Sequence, residues 1–187
     1  ERVKSGRSAV QRLDPLFPRT TMTRATCRWG ILSTADIARK NWQAIRNASN
    51  GTLTAVASRD LEKCRRFVAQ CQSHVPFSPP PQVCGSYEEL LSLDTVDAVY
   101  IPLPTVVRKP LAIRAAEAGK HVLVEKPVGA TADDVREILD ACRRSGVQFM
   151  DGVMFLHSRR LDRMREVLDD GHSVGHVKRI ASHFAFP

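Results

Sequence analysis

The feature that most constrains the fold is a short apolar run at residues 121–124, which is followed directly by Glu125, Lys126 and Pro127. Three consecutive aliphatic residues, two of them β-branched, predict a strand that is buried on both faces. The segment 111–117 before it has a helical pattern, so the strand follows a helix as it does in a βαβ unit. Open parallel sheets bind ligands at the carboxyl ends of their strands. The position of Glu125 and Lys126 at this strand end favours a functional site. The alternative is that they are an exposed acid–base pair that only ends the strand.

The same alternation of strand and helix patterns covers residues 28–151. The predicted strands are 28–32, 52–57, 83–84, 96–101, 121–124 and 147–150. Strands that alternate with helices in this way predict an α/β fold with a doubly wound parallel sheet, the Rossmann architecture. A second unit is expected from about residue 152, with a helix over 160–169 and an alternating strand over 180–186 that would begin an α+β domain.

The 187-residue chain carries a formal net charge of +8, but this charge is not concentrated on the predicted domain. Residues 1–27 contribute +4, which leaves +4 for the much longer remainder. This amino-terminal segment has almost no aromatic side chains to stack on bases, so nucleic-acid binding is not expected. Its Ser-, Thr- and Arg-rich composition has three interpretations: a transit peptide, a disordered basic tail, or sequence upstream of a start at Met22, which we favour. No apolar run is long enough to cross a membrane.

The five cysteines show neither a CxxC pair nor a paired metal-ligand spacing. Cys64 and Cys71 lie on one apolar stripe of a helix predicted over 61–72, where cysteine acts as a small core hydrophobe. We therefore expect no disulfide and no metal site, and a reducing, cytoplasmic location.

The junction between the first strand and the helix after it has the position of a phosphate-binding loop. Dinucleotide-binding proteins carry the pattern G-x-G-x-x-G/A there, because small residues let the backbone approach the pyrophosphate and expose the helix amides. This chain has Ser33, Ala35 and Ala38 at the three positions. All three are small, but both of the first two glycines are absent, and a positive φ is costly for any other residue.

The end of the second strand predicts which cofactor the chain prefers. NAD enzymes place an acidic residue there to bind the ribose hydroxyls. Ser58 and Arg59 occupy the position here, and a guanidinium pairs well with the 2′-phosphate of NADP. NADP is therefore preferred over NAD, the alternative being that Arg59 is an ordinary solvated loop residue. Asp60 is expected to cap the helix that follows.

Six segments occur in an order and spacing that resemble the Gfo/Idh/MocA oxidoreductases over residues 28–186: WGILSTADIA, VASRDLEKC, GSYEELL, IPLPT, AAEAGKHVLVEKP and VGHVKRIASHFAF. Within that family they resemble the NADP-dependent D-xylose dehydrogenase and trans-1,2-dihydrobenzene-1,2-diol dehydrogenase-like members. The resemblance implies hydride transfer between a nicotinamide and the CH–OH group of a sugar or diol. It also implies a homo-oligomeric full-length protein with neither nucleic acid nor membrane as a partner.

The resemblance assigns roles to residues of this sequence. Lys126 would be catalytic through a hydrogen bond to the reacting oxygen, Glu125 would position Lys126 or the cofactor amide, and a cis bond before Pro127 would aim the lysine. His157 and Arg159 would lie on the substrate side of the cleft. Arg108 stands where many relatives have a histidine. The implied cofactor contacts are Ser33, Thr34, Ala35, Asp36, Ile37, Ser58, Arg59, Leu103, Pro104, Arg108, Glu125 and Lys126.

Two functions from different classes remain open on the sequence alone. The first is an NADP-dependent oxidoreductase of which this chain is the amino-terminal portion. The second is a non-catalytic NADP-binding fragment, because the family's second domain, which supplies an acid–base group and the pocket walls, is largely missing. The sequence therefore does not identify the substrate.

Overall fold

A computed structural model describes residues 25–183 and 185 of the chain. Within them, six parallel strands form one sheet in the order β3-β2-β1-β4-β5-β6. The strands are β1 Cys27–Leu32, β2 Gly51–Ala57, β3 Gln82–Cys84, β4 Ala98–Ile101, β5 His121–Val124 and β6 Phe149–Asp151. The helices are α1 Ile37–Asn47, α2 Leu61–His74, α3 Tyr87–Leu91, α4 Thr105–Glu117, α5 Ala132–Arg144 and α6 Arg159–Asp169, with a 3₁₀ turn at Met154–His157. The predicted doubly wound α/β sheet is confirmed.

The sheet has a helical layer on each face, and the period-two alternation of the strands decides which side chains each layer covers. In β4, Val99 and Ile101 belong to the core on the side of α3, α4 and α5. Tyr100 between them belongs to the core under α1 and α2. All four residues of β4 are buried. A central strand covered on both faces accounts for the near-continuous apolar pattern of these short strands.

Local signals in the sequence set several element boundaries. Asp60 caps α2 as predicted, because its carboxylate accepts a hydrogen bond of 2.9 Å from the Lys63 amide. Thr131 and Asp134 form a reciprocal capping box at the start of α5. Cys64 and the other four cysteines are free thiols. Among residues 25–183, no cluster of three or more His, Cys, Asp or Glu side chains has the arrangement of a metal site.

Helix α4 begins six residues before the segment that its sequence pattern predicts, at Thr105 rather than 111, and it contains Pro110. A proline inside a helix removes one hydrogen bond to the carbonyl four residues earlier. That carbonyl belongs to Val106, which is 81% exposed, so solvent can satisfy it. The helix therefore tolerates the proline, and it begins at Thr105, after a loop of three residues that follows β4.

Strand β6 covers 149–151 instead of 147–150. Val147 belongs to the turn that ends α5, where Gly146 adopts φ +66° and the Val147 amide donates to the Cys142 carbonyl at 3.0 Å. The strand predicted over 180–186 does not form at residues 180–183, while Phe184 and Phe186 lie outside the described residues. A strand needs a neighbour to pair with its backbone groups, and none of the described segments pairs with this one.

Residues 1–24 also lie outside the described part of the chain, so the three interpretations of that segment, including a start at Met22, stay predictions. The division into two units near residue 151 likewise stays a prediction. Across the part of the chain that the structure describes, no helix combines the length and the apolar character that a membrane span requires.

Candidate cofactor site

Three loops that carry predicted site residues meet at one edge of the sheet. They follow β1 at 33–36, β2 at 58–60 and β5 at 125–127. Because all six strands are parallel, their carboxyl ends share this edge, and the chain reverses its direction of winding between β1 and β4. Ligands of open α/β sheets bind in the crevice at such a reversal point.

The loop after β1 contains a residue with a positive φ although it has no glycine. Ser33, at the first glycine position of the fingerprint, adopts φ +146°, a conformation that costs about 1–3 kcal/mol for a residue with a side chain. Its hydroxyl accepts a hydrogen bond of 3.1 Å from the Ala35 amide, which offsets part of that cost. Asp36, the N-cap of α1, makes no capping hydrogen bond with its side chain. The amide end of α1 therefore lacks a side-chain cap and can receive an anion.

A basic cavity of about 410 Å³ opens beside this loop, between α1 and α2. Its lining residues are Thr34, Ala35, Asp36, Arg39, Lys63, Arg66, Phe67 and Gln70. Arg39 packs its guanidinium 4.9 Å above the Phe67 ring and donates to Gln70 at 2.8 Å. Lys63 and Arg66 are not among the residues predicted from the sequence. Lys63 and Arg66 are three residues apart on α2, just after the Ser58–Arg59 turn, and this spacing indicates that they share one face of the helix.

The loop after β2 places Ser58 and Arg59 at the same edge. Ser58 is buried, and its hydroxyl accepts a hydrogen bond of 3.2 Å from the Asp60 amide. Arg59 is exposed to solvent and lies near the hydroxyl of Tyr87 at the start of α3. Burial raises the pKa of Tyr87, and the nearby Arg59 opposes that rise. Arg59 therefore has a protein contact as well as an open face.

In the loop after β5, the Glu125 carboxylate is surrounded by groups from three parts of the chain. The Tyr100 hydroxyl donates to Oε1 at 2.7 Å, and the Lys126 amide donates to Oε2 at 3.2 Å. A Cβ atom at Gly152 would lie 3.2 Å from the carboxyl carbon and from both oxygens, so only glycine leaves this carboxylate undisturbed. Burial, followed by the hydrogen bond to Glu125, raises the pKa of Tyr100, which therefore stays a donor. Sequence analysis identified neither Tyr100 nor Gly152.

Lys126 itself is exposed, and the peptide bond between Lys126 and Pro127 is cis, as the resemblance implies. Arg108 is only 7% exposed. Its Nε donates to the Leu103 carbonyl, and its Nη1 donates to the carbonyls of Glu125, at 2.8 Å, and Pro127. The hydrogen bonds of Arg108 thus run to the backbone of the site, and its contact with the cofactor stays a prediction.

The remaining predicted residues border the same region. Leu103 is buried and Pro104 is the exposed N-cap of α4. A second cavity of about 210 Å³ lies on the α1 face of the sheet and includes His157 beside Glu125. Its lining residues are Ile37, Lys40, Asn41, Ala44, Tyr100, Leu123, Glu125, Met150, Asp151, Gly152, Met154 and His157. Arg159 is exposed at the start of α6 and does not line this cavity.

The parallel sheet, the uncapped end of α1 and the basic cavity beside it define a dinucleotide-binding α/β domain. The sequence profile of the Gfo/Idh/MocA oxidoreductases, described as an oxidoreductase family with an NAD-binding Rossmann fold, matches residues 27–153. The chain belongs to this family. The resemblance drawn from the sequence is therefore confirmed, and relatives of both expected kinds, xylose and dihydrodiol dehydrogenases, match the chain.

Curated relatives include a dTDP-3,4-didehydro-2,6-dideoxy-alpha-D-glucose 3-reductase from Streptomyces violaceoruber, 35% identical over 89% of this chain and 46% of that protein. A D-xylose 1-dehydrogenase (NADP(+)) from Haloferax volcanii is 35% identical over 84% of this chain and 46% of that protein. Among solved structures, a 3-ketoreductase from Actinomadura kijaniata in complex with NADP superposes with a TM-score of 0.71 at 32% identity, covering 80% of this chain and 45% of that one. The chain spans about half the length of the curated relatives it matches.

Proposed function

We propose that this chain is the NADP-binding part of an oxidoreductase that transfers hydride between the nicotinamide and the CH–OH carbon of a sugar or diol. The observation that carries the proposal is the convergence, at one sheet edge, of the α1 amide end, the Ser58–Arg59 turn and the Glu125–Lys126 turn. The names of the relatives support it, since they include sugar reductases and an NADP-dependent dehydrogenase.

The residues at this edge fit a dinucleotide phosphate. The positive φ of Ser33 shapes the loop that a pyrophosphate requires, and the α1 amides face it without a side-chain cap. Ser58 and Arg59 would bind the 2′-phosphate together with Lys63, which lines the adjacent basic cavity. The bound cofactor would supply the two-electron carrier, with NADP⁺ accepting hydride from the alcohol or NADPH donating hydride to the carbonyl.

Lys126 would act at the reacting end of the site. Its exposed ammonium group follows the strand end directly and would donate a hydrogen bond to the substrate oxygen, which stabilises the developing alkoxide. Glu125 would hold the nicotinamide side of the site in place, because its own carboxylate is fixed by Tyr100. His157 and Arg159 would meet the substrate beyond this point.

Binding measurements on the complete 187-residue chain test the cofactor assignment. We expect calorimetry to show tighter binding of NADP than of NAD. Arg59→Ala should weaken NADP binding roughly 10- to 100-fold, the equivalent of losing a charge-assisted hydrogen bond of about 1.5–3 kcal/mol, while NAD binding stays unchanged. Arg65→Ala is the matched control, because Arg65 pairs with Glu62 on an exposed face of α2 and does not line the cavity. Equal affinity for both cofactors, or equal loss in both variants, would contradict the assignment.

A second measurement separates an enzyme from a nucleotide-binding module without turnover. NADPH oxidation would be followed with keto-sugar substrates for the wild-type chain and for Lys126→Met. Turnover that Lys126→Met abolishes, with NADP binding retained, supports the oxidoreductase. NADP binding without turnover by the wild-type chain favours the binding module.

A further inference from the structure

Arg108 joins the two loops that border the reacting end of the proposed site. It is the fourth residue of α4, so its backbone belongs to the helix that follows β4. Its side chain crosses to the loop after β5, where Nη1 donates to the carbonyls of Glu125 and Pro127. These two residues lie immediately before and after Lys126. One guanidinium thus fixes the backbone on both sides of the proposed catalytic lysine.

The third hydrogen bond of Arg108 ties the same guanidinium to the exit of β4. Its Nε donates to the carbonyl of Leu103, which lies in the loop between β4 and α4. Leu103 and Glu125 belong to loops at the ends of neighbouring strands. The ladder between β4 and β5 fixes the two strand ends, and the loops that leave them are joined by one rigid, planar group with five donors in a fixed geometry.

Burial of the Arg108 guanidinium costs free energy unless the group is fully hydrogen-bonded. Burial lowers the pKa of Arg108, and the Glu125 carboxylate opposes that change. Three backbone carbonyls accept its hydrogen bonds, so removal of the guanidinium would leave the buried Leu103 carbonyl and the part-buried carbonyls of Glu125 and Pro127 without this donor. A lysine would present its charge as a point on a flexible stem and could not span the same three carbonyls in one plane.

The opposite face of the sheet provides the complementary restraint. Tyr100, buried under the α1 layer, holds the Glu125 side chain through its carboxylate, while Arg108 holds the Glu125 carbonyl from the α4 side. The residue before Lys126 is therefore fixed at both its side chain and its backbone. Lys126 retains freedom only along its own side chain.

We propose that Arg108 is a positioning residue, which orients Lys126 by fixing the loop after β5 to the loop after β4 at the nicotinamide end of the site, without contacting the reacting atoms. This inference rests on the proposed function. It assigns to Arg108 a role different from the direct cofactor contact that the sequence resemblance implies. The adenine end of the site, formed by the loops after β1 and β2, makes no use of this guanidinium.

Two ligands distinguish the two ends of the site in the complete chain. NADPH occupies both ends, whereas adenosine 2′,5′-bisphosphate carries the adenine and the 2′-phosphate but no nicotinamide. For Arg108→Met we expect NADPH to bind roughly tenfold more weakly, or about 1.4 kcal/mol, and adenosine 2′,5′-bisphosphate to bind as in the wild type. The fluorescence of bound NADPH, which reports the surroundings of the nicotinamide, should change in parallel. Arg114→Met on the same helix is the matched control, because Arg114 is half-exposed and pairs with Glu88.

Arg108→Lys completes the test and covers the case in which Arg108→Met does not fold. It keeps the positive charge but not the planar fork, so we expect a selective loss of NADPH affinity in this variant as well. Equal weakening of both ligands, or no weakening of either, would overturn the inference, as would full recovery of NADPH affinity by Arg108→Lys. A wild-type chain that binds neither ligand would refute the proposed function itself, and the inference with it.

Discussion

Replacement of Tyr100 by phenylalanine removes one oxygen atom from the centre of the proposed site and tests whether Glu125 is held as the structure indicates. Tyr100 is 1% exposed, and its hydroxyl donates to Oε1 of Glu125 at 2.7 Å. Phenylalanine keeps the ring, its packing under α1 and the position of β4. Any effect of the substitution therefore reports the hydroxyl alone.

The expected cost follows from the kind of hydrogen bond that is lost. A hydrogen bond to a charged group contributes about 1.5–3 kcal/mol when its removal leaves the partner without a substitute. Glu125 is only partly buried, so water can replace some of the lost bond, and the lower end applies. We expect Tyr100→Phe to lower the free energy of unfolding by about 1.5 kcal/mol, which shifts the melting temperature by roughly 3–6 °C in a domain of this size.

Urea denaturation followed by the fluorescence of the buried Trp42 measures this change as a shift of the midpoint at constant slope. Glu125→Gln and the double variant complete a thermodynamic cycle, in which we expect a coupling energy of about 1 kcal/mol or more between the two side chains. Tyr87→Phe is the control, because the hydroxyl of this second tyrosine lies near the exposed Arg59 and should contribute less than about 0.5 kcal/mol. Additive effects of Tyr100→Phe and Glu125→Gln, or equal costs for the two tyrosines, would refute the reasoning.

Three further predictions address other parts of the molecule. Gly152→Ala places a Cβ atom 3.2 Å from the glutamate carboxylate, so we expect severalfold weaker NADPH binding in calorimetry; unchanged affinity would contradict the close approach. The hydrogen bond from Arg28 on β1 lowers the pKa of Asp97. Asp97 therefore contributes stability at pH values above its unfolded pKa, near 3.9, and this stability is lost as the pH falls through the lower pKa of the folded state. Urea melts between pH 2.5 and 6 should show this loss, and Asp97→Asn should flatten it. Four of the five thiols are buried, and burial raises the pKa of Cys64 to about 11 and that of Cys84 to about 12. Because Cys27 is the one half-buried thiol, a thiol reagent at pH 8 should modify only Cys27 quickly in the native chain, although burial raises its pKa too, and all five cysteines in urea.

Much of the fold could be predicted from sequence because its determinants are local. Apolar runs of four to six residues, helices with one apolar face and capping side chains such as Asp60 give strong signals within a few positions of each other. The misplaced boundaries have specific causes. Pro110 conceals the first turn of α4 in the sequence pattern, because only the folded structure shows that Val106, whose carbonyl loses its partner, stays exposed to water. Residues 180–183 have the sequence pattern of a strand, but they form none because the pattern does not provide a neighbouring strand for them to pair with.

The contacts of the site could not be predicted because they cross between elements. Arg108 and Pro127 are 19 positions apart, and Tyr100 and Glu125 are 25 apart. The second pair follows from the register of β4 and β5, in which Tyr100 lies beside Leu123 and the next side chain on the same face is Glu125. Register is set by packing of the whole sheet, so the sequence alone does not provide it.

Two residues that depart from local rules, Ser33 and Arg108, lie at the carboxyl edge of the sheet, whereas the buried Lys120 lies at the amino end of β5, where it donates to the Leu93 carbonyl. Ser33 adopts a backbone conformation that favours glycine. Arg108 is a buried charged residue, although arginine is usually found on protein surfaces. Away from this edge, caps and core cysteines follow their usual preferences. Neither departure improves the stability of the domain, since a glycine or an apolar side chain would avoid the strain or the buried charge. Both instead shape loops at the strand ends, where parallel sheets bind their ligands, so their common position is itself an argument that this edge is functional.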